Sequence, residues 1–226
     1  YAPEVAASYQ ALLDRPVRLF PAPIAAVRAV RDRTQAAVPT IAFLGEQRDE
    51  KGFPEVPDIV RSLLARHDEI RVLVHNSWDG AAEPTAALRQ LADADSRLEV
   101  IARAVTADEW AVLLDRADVI VLPYREFVYR TAMSAVAVEG LANGIPLVVP
   151  RGTTMDRLLV EHGMPGVVAA TSAAADIVAA VGELVAQFPE CARRAAQASR
   201  GWAETAGPAG LLQAILNCRG SGLSQP

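Results

Sequence analysis

The chain has 226 residues, is 51% hydrophobic and 22% charged, and carries a net charge of −5. That balance argues against a disordered chain and against a nucleic-acid surface, and no apolar run approaches the roughly 20 residues of a membrane-spanning helix. Cys191, Cys218 and the scattered His67, His75 and His162 show neither metal-ligand nor disulfide spacing, so we expect no metal, no cofactor and a reducing, cytoplasmic compartment.

In chain order, a helix is expected over Pro3–Asp14 and a short strand over Val17–Phe20. A joint with Pro21 and Pro23 follows, ahead of an arginine-rich run, Arg28–Arg33. A lone helix and strand cannot bury a core, and the chain opens on Tyr1, so residues 1–23 read as the remnant of a preceding domain and its linker. Strands are then expected at Thr40–Leu44, Arg71–His75, Leu98–Ala102, Val119–Pro123, Pro146–Val149 and Val167–Ala170, continuous apolar runs suited to burial on both faces. Between them lie helical patterns at Val56–Arg66, Pro84–Ala92, Ala107–Arg116, Met133–Ala142, Met155–His162 and Ala173–Phe188.

Thr106 and Glu109 form a capping box, and Gly144 and Gly163 fall where left-handed helix ends are wanted. About six strands alternating with helices predict an α/β fold, a doubly wound, Rossmann-like parallel sheet over residues 24–188. Helices Cys191–Ala203 and Leu211–Leu216 follow within 189–218, and a flexible tail occupies 219–226.

Two stretches carry chemistry. Asp118–Pro150 reads as strand, polar loop, helix and strand, which puts the loop and the helix start at the carboxyl edge of the sheet, where ligands bind. The small residues Thr131, Ala132, Ser134 and Ala135 leave backbone N–H groups open to a phosphate. Glu139 lies more than one turn further along, too far to compete for that phosphate and well placed for ribose hydroxyls. The second stretch follows the first core strand: Gly45 allows a tight turn, and Arg48 and Lys51 present a planar fork and a point charge suited to a diphosphate. The plainer alternative is a solvated loop in which both cations pair with Glu46, Asp49 and Glu50.

These residues resemble the C-terminal, donor-binding domain of a GT-B glycosyltransferase of the large retaining superfamily. Gly45, Arg48, Lys51 and Gly52 match its diphosphate loop. Asp118, Leu122, Pro123, Glu139, Ala142, Gly144 and Pro146 match its closing motif, and Leu19–Pro23 matches its interdomain joint. The resemblance covers about Arg18 to Ala170. It implies that Arg48 and Lys51 grip the diphosphate and stabilise the leaving group, a catalytic role that calls for no metal. It further implies that Ser134 and Ala135 cap the distal phosphate, that Glu139 holds the ribose, and that the loop Arg103–Thr106, with Ala104, meets the base through backbone atoms.

The family's second acid, eight residues before the first, is Thr131 here, and Glu126 lies thirteen residues upstream of Glu139, too far to replace it. That departure leaves the sugar and the stereochemistry open and brings Tyr124, Arg125, Tyr129, Arg130 and Thr131 into question as sugar- or phosphate-holding residues. The expected partners are a nucleotide-sugar donor, an unknown hydroxyl acceptor and a preceding N-terminal domain, through which the protein could also sit at the inner face of a membrane. Without that domain the chain is expected to bind nucleotide and transfer nothing. Three other readings stand beside this one: a sugar-nucleotide epimerase, a non-catalytic carbohydrate- or partner-binding module, and a dinucleotide oxidoreductase. The last is weakest, since the glycine loop lacks G-x-G-x-x-G. His75, at the ligand edge, is read as a core or capping residue ahead of a catalytic one, Asp118 as a turn or cap residue, Thr153 and Thr154 either as an N-cap or as facing the acceptor or donor sugar, and Trp78, Trp110 and Trp202 as packing.

Overall fold

The structure is a computed structural model that describes residues 3–20, 22–26, 29–78 and 80–220. Pro21 of the expected joint, Arg28 of the arginine-rich run and residues 221–226 of the expected tail lie outside them, as does the side chain of Cys218. The described elements are α1 (Pro3–Leu13), β1 (Thr40–Phe43), α2 (Val56–Arg66), β2 (Arg71–His75), α3 (Ala82–Ala94), β3 (Leu98–Ile101), α4 (Ala107–Arg116), β4 (Val119–Val121), α5 (Glu126–Tyr129), α6 (Ala135–Ala142), β5 (Leu147–Pro150), α7 (Thr154–Glu161), β6 (Gly166–Ala169), α8 (Ala174–Ala186), α9 (Phe188–Thr205) and α10 (Pro208–Gly220).

The six strands pair in parallel in the order β3-β2-β1-β4-β5-β6. Alternate strand residues feed two apolar layers. Ile41, Phe43, Val72, Val74, Val119 and Val121 pack with α2, α3 and α8, whereas Ala42, Leu44, Leu73, Ile120, Leu122 and Val149 pack with α4, α6 and α7. Burial on both faces is why these strands are uninterrupted apolar runs. α9 runs back across α6, and its Trp202 indole donates to the Ile24 carbonyl at 3.1 Å, fastening the segment that enters the sheet.

Two expectations about local geometry hold. The Thr106 side chain and Glu109 cap α4 reciprocally, and Gly144 and Gly163 adopt φ of 65° and 59° just past α6 and α7. Asp118 closes the amino edge, accepting from the Thr40 N–H at 2.9 Å and pairing with Arg31. Thr153 caps α7 through the Asp156 N–H. The strand expected at Val17–Phe20 does not form. A strand exists by virtue of a ladder partner, and these residues pair with none among the described residues. α9 and α10 also extend beyond the helices expected there.

The most consequential side chain outside the sheet is Arg33, in the arginine-rich run to which the sequence assigns no role. Its guanidinium is buried and donates to the carbonyls of Ala117 (2.9 Å), Asn143 (3.0 Å), Leu114 (3.2 Å) and Arg31 (3.3 Å). Leu114 and Ala117 end α4 and Asn143 ends α6, so one fork satisfies the orphan carbonyls of two helix C-termini. Burial lowers its pKa to about 10, with Asp118 and Asp115 opposing, which leaves it charged at neutral pH.

Candidate functional site

The strand order reverses direction between β1 and β4, so the loops leaving their carboxyl ends diverge and open a crevice. One lip is the loop after β1, the other the segment between β4 and α6. Gly45, at φ 110°, approaches α6 so closely that a Cβ there would stand 3.2 Å from Val136 Cγ2. The turn Asp49–Lys51 ends on Gly52, at φ 70°, against the Pro123 carbonyl. Arg125 ties the lips together: its N–H donates to Glu50 O (3.0 Å), and its guanidinium reaches Asp49 O (3.0 Å) and Glu55 (3.2 Å). Arg125 is therefore a clamp between loops.

Arg48 and Lys51 sit together on the first lip. Arg48 pairs with Glu46 at 2.7 Å and lies 3.9 Å from Glu50, as the plainer alternative had it. Lys51 forms no ion pair within 4 Å among the described residues. Its ammonium is 5.8 Å from the Tyr124 ring centre, and burial lowers its pKa while Glu46 raises it and Arg48 lowers it. A half-buried ammonium short of counter-charge is the more available of the two cations for an anion.

Across the crevice α6 starts at Ala135. The Ser134 hydroxyl is buried and accepts from the Ala137 N–H at 3.2 Å, so it caps the helix from within, and Ala135 lies exposed at the helix start. The Tyr124 hydroxyl is wholly buried beside Ser134 without a well-formed hydrogen bond, and burial raises its pKa. Tyr129 packs on it, ring centres 4.4 Å apart, and burial pushes its pKa up to about 12, with Glu50 adding and Arg48 opposing. Arg130 and Thr131 are exposed, on a turn held by α7: Arg157 donates to Arg130 O and Thr154 to Ala132 O, both at 2.5 Å. Glu126 turns away, accepting from the Ser172 N–H and hydroxyl.

The third wall lies at the ends of β1, β2 and β3. A pocket of about 360 Å³ is lined by Gly45, His75, Ser77, Ala104, Thr106 and Trp110, among others. Larger open depressions of about 700 Å³ along α1 and about 820 Å³ between Val30–Thr34 and α9 lie away from the crevice. His75 is 2% exposed. Its Nδ1 accepts the Gly45 N–H at 3.3 Å and its Nε2–H donates to Arg103 O at 3.0 Å, while Asn76 Oδ1 accepts the Gln47 N–H at 3.1 Å. Adjacent residues at the end of β2 thus hold the loop after β1 from beneath.

Burial lowers the His75 pKa, with the Arg103 carbonyl opposing and the Arg103 charge assisting. Since the unfolded imidazole titrates near about 6.5 and the folded one lower, this group's stabilising contribution is complete above the unfolded pKa. It is lost as pH falls through the window below. The stability advantage of the wild type over His75→Gln is therefore expected to narrow between pH 7.5 and 5, as read by urea unfolding at both pH values.

Sequence reasoning left Trp110 as packing and missed its partner. The indole Nε1–H donates to Glu139 Oε1 at 3.2 Å. Burial raises the Glu139 pKa and the indole hydrogen bond opposes it.

Fold and crevice together define a doubly wound α/β domain with a cationic, glycine-turned loop facing a helix N-terminus at the switch point. The family model described as "Glycosyl transferases group 1" matches residues 38–187, and the chain belongs to that family. No curated protein matches the sequence. Solved structures share the fold at 13% identity each. The C-terminal domain of a group 1 glycosyl transferase (LpcC) from Francisella tularensis gives a TM-score of 0.59, covering 80% of this chain and 94% of that one. WaaG, a glycosyltransferase of lipopolysaccharide biosynthesis, gives 0.57 over 91% and 48%. A glycosyltransferase from Rickettsia africae gives 0.61 over 100% and 54%, so the chain spans about half the length of these last two. Among the described residues no helix is long and apolar enough to cross a membrane.

Proposed function

We propose that this chain is the half of a GT-B glycosyltransferase that binds a nucleoside-diphosphate sugar. The observation that carries the proposal is the convergence of Gly45, Arg48 and Lys51 with the start of α6 at the β1/β4 switch point, Gly45 approaching Val136 to Cβ contact distance. In this reading Lys51 and Arg48 take the diphosphate, Arg48 exchanging Glu46 for it, and stabilise the charge that develops as the sugar leaves. The N–H groups at Ala135 and Val136 meet the distal phosphate, Glu139 accepts from the ribose, and the loop at Ala104 meets the base. Tyr129, Arg130 and Thr131 border the sugar. The acceptor would dock on a preceding domain, and closure of the two would exclude water, so the chain alone would bind nucleotide without transfer.

Calorimetric titration with UDP, GDP, ADP and dTDP tests this. One diphosphate is expected to bind in the micromolar-to-millimolar range and to weaken at least tenfold in Arg48→Ala/Lys51→Ala, since each charge-assisted contact is worth about tenfold or more. Absence of binding to all four would favour the second reading, a non-catalytic module. Thr131 motivates that reading, standing exposed where the family carries an acid. An epimerase is less well supported, because Glu126, an acid of the same loop, is already engaged by Ser172.

A further inference from the structure

Glu139 stands on α6 and Trp110 on α4, and the indole N–H to Oε1 hydrogen bond joins the two helices across the crevice wall. Trp110 is held firmly from its own side. Its backbone N–H bonds to Thr106 O at 2.9 Å within the capped first turn, and Arg103 fixes that turn by donating twice to Glu109, at 2.6 and 3.1 Å. The other face of the indole meets the His75 ring at 5.7 Å, edge-on, and His75 has both nitrogens committed to the Gly45 and Arg103 loops. The indole is thus a fixed plate lining the pocket, with its single donor spent on Glu139.

An unanchored carboxylate turns freely about its last torsion and can offer either oxygen. Here Oε1 is taken by the indole, and Oε2 accepts no hydrogen bond among the described residues. We propose that Trp110 is a positioning residue for ribose recognition: by holding Oε1 it sets the rotation of Glu139 and presents Oε2 to the ribose diol. This rests on the donor-binding reading above and adds to it a residue that touches the acid rather than the sugar–phosphate.

Protonation of Glu139 would remove the acceptor. The charged and titratable groups on the surrounding elements are His75 on β2, Arg103 before α4, Asp108, Glu109, Asp115 and Arg116 on α4, Glu46, Arg48, Asp49, Glu50 and Lys51 on the β1 loop, Arg33 at the ends of α4 and α6, and Glu190, Arg193, Arg194, Arg200 and Glu204 on α9. The pKa of Glu139 is set by burial, which raises it, and by the indole N–H, which lowers it. The ribose-dependent part of binding should therefore fade at a higher pH than for an ordinary glutamate, and at a higher pH still once the indole N–H is gone.

The test measures binding of UDP, GDP and ADP, each beside its 2′,3′-dideoxy form, to the full chain and to Trp110→Phe and Glu139→Gln. Both ligands of a pair carry the same diphosphate, so its own titration cancels. The unaltered chain is expected to prefer the ribose form of the nucleotide it binds by about tenfold, the worth of a hydrogen bond to a charged group. In Trp110→Phe that preference should drop at least threefold, whatever the change common to both ligands, and its midpoint should move to higher pH. In Glu139→Gln the pH dependence of the preference should disappear. An equal loss for both ligands, or an unchanged preference in Trp110→Phe, overturns the inference while leaving the donor reading intact. Failure of the unaltered chain to bind any of the three removes the donor reading and this inference with it. A second measurement needs no functional variant. The Trp110 indole N–H resonance should follow the titration of Glu139 and shift further with the ribose form than with the dideoxy form, and an indole that responds equally to both, or to neither, overturns the inference.

Discussion

Arg33→Ala is expected to destabilise the protein by about 3–5 kcal/mol, the cost of leaving several buried carbonyls unpaired. The guanidinium is 3% exposed, and its truncation leaves the carbonyls of Leu114, Ala117 and Asn143 without their donor in a space water does not reach. Each unpaired buried polar group costs about 1–3 kcal/mol, and part of that is regained where the helix ends relax. Arg33→Lys should recover little, because one ammonium cannot reproduce a planar fork that serves the ends of α4 and α6 at once. Urea unfolding of both variants checks this, and a loss below about 1 kcal/mol in Arg33→Ala would show that the carbonyls find other partners. Because Arg33 joins the segment entering the sheet to α4 and α6, its loss should also loosen the Trp110–Glu139 wall, so nucleotide affinity should fall along with stability.

That residue also shows where sequence reading stops. Arg28–Arg33 stands out in the sequence only as an arginine-rich run, and nothing local says that one of its side chains meets carbonyls 81 to 110 residues away. The strands were legible because parallel strands buried on both faces must be apolar throughout. The ends of α4, α6 and α7 were legible because capping chemistry is written in adjacent residues, as with Thr106–Glu109 and the two glycines at positive φ. Val17–Phe20 has the composition of a strand, but pairing is decided by a neighbour, and a short apolar run cannot say whether one exists.

The site divides along the same line. Gly45, Arg48, Lys51 and Gly52 could be read together because they share one turn, and the structure does place them on one lip of the switch point. Ser134 was read for its position, and the structure adds that its hydroxyl is spent on the Ala137 N–H. His75 and Trp110 lie on different strands and helices from the groups they hold, Gly45 and Glu139. Their chemistry depends on the 3-2-1-4-5-6 order of the sheet, which hydrophobic periodicity does not encode. A histidine at the end of a strand is the one usable signal, and it points to a core or capping role without naming the partner.

Gly52→Ala is expected to cost about 2–4 kcal/mol, combining a left-handed backbone that a Cβ disfavours by about 1–2 kcal/mol with an overpacking clash of similar size. The clash is with backbone: a Cβ at Gly52 would fall 2.0 Å from the Pro123 carbonyl oxygen, so one of the two loops must move. Gly152→Ala supplies the reference, since Gly152 has φ 77° with no atom within 4 Å of its Cβ position. It should lose only the conformational part, about 1–2 kcal/mol. The difference between the two urea midpoints, scaled by a common slope, isolates the contact between the β1 and β4 loops. If Gly52→Ala proved no worse than Gly152→Ala, the loops would be free to part, and the crevice would not be a rigid one. In the structure they are fixed to each other three ways, by Gly52 against Pro123, by the Arg125 N–H on Glu50, and by the Arg125 guanidinium on Asp49 and Glu55. Moving Gly52 therefore displaces Lys51 relative to α6, and nucleotide affinity should fall several-fold in Gly52→Ala while Gly152→Ala, on the loop before α7, leaves it near the wild-type value.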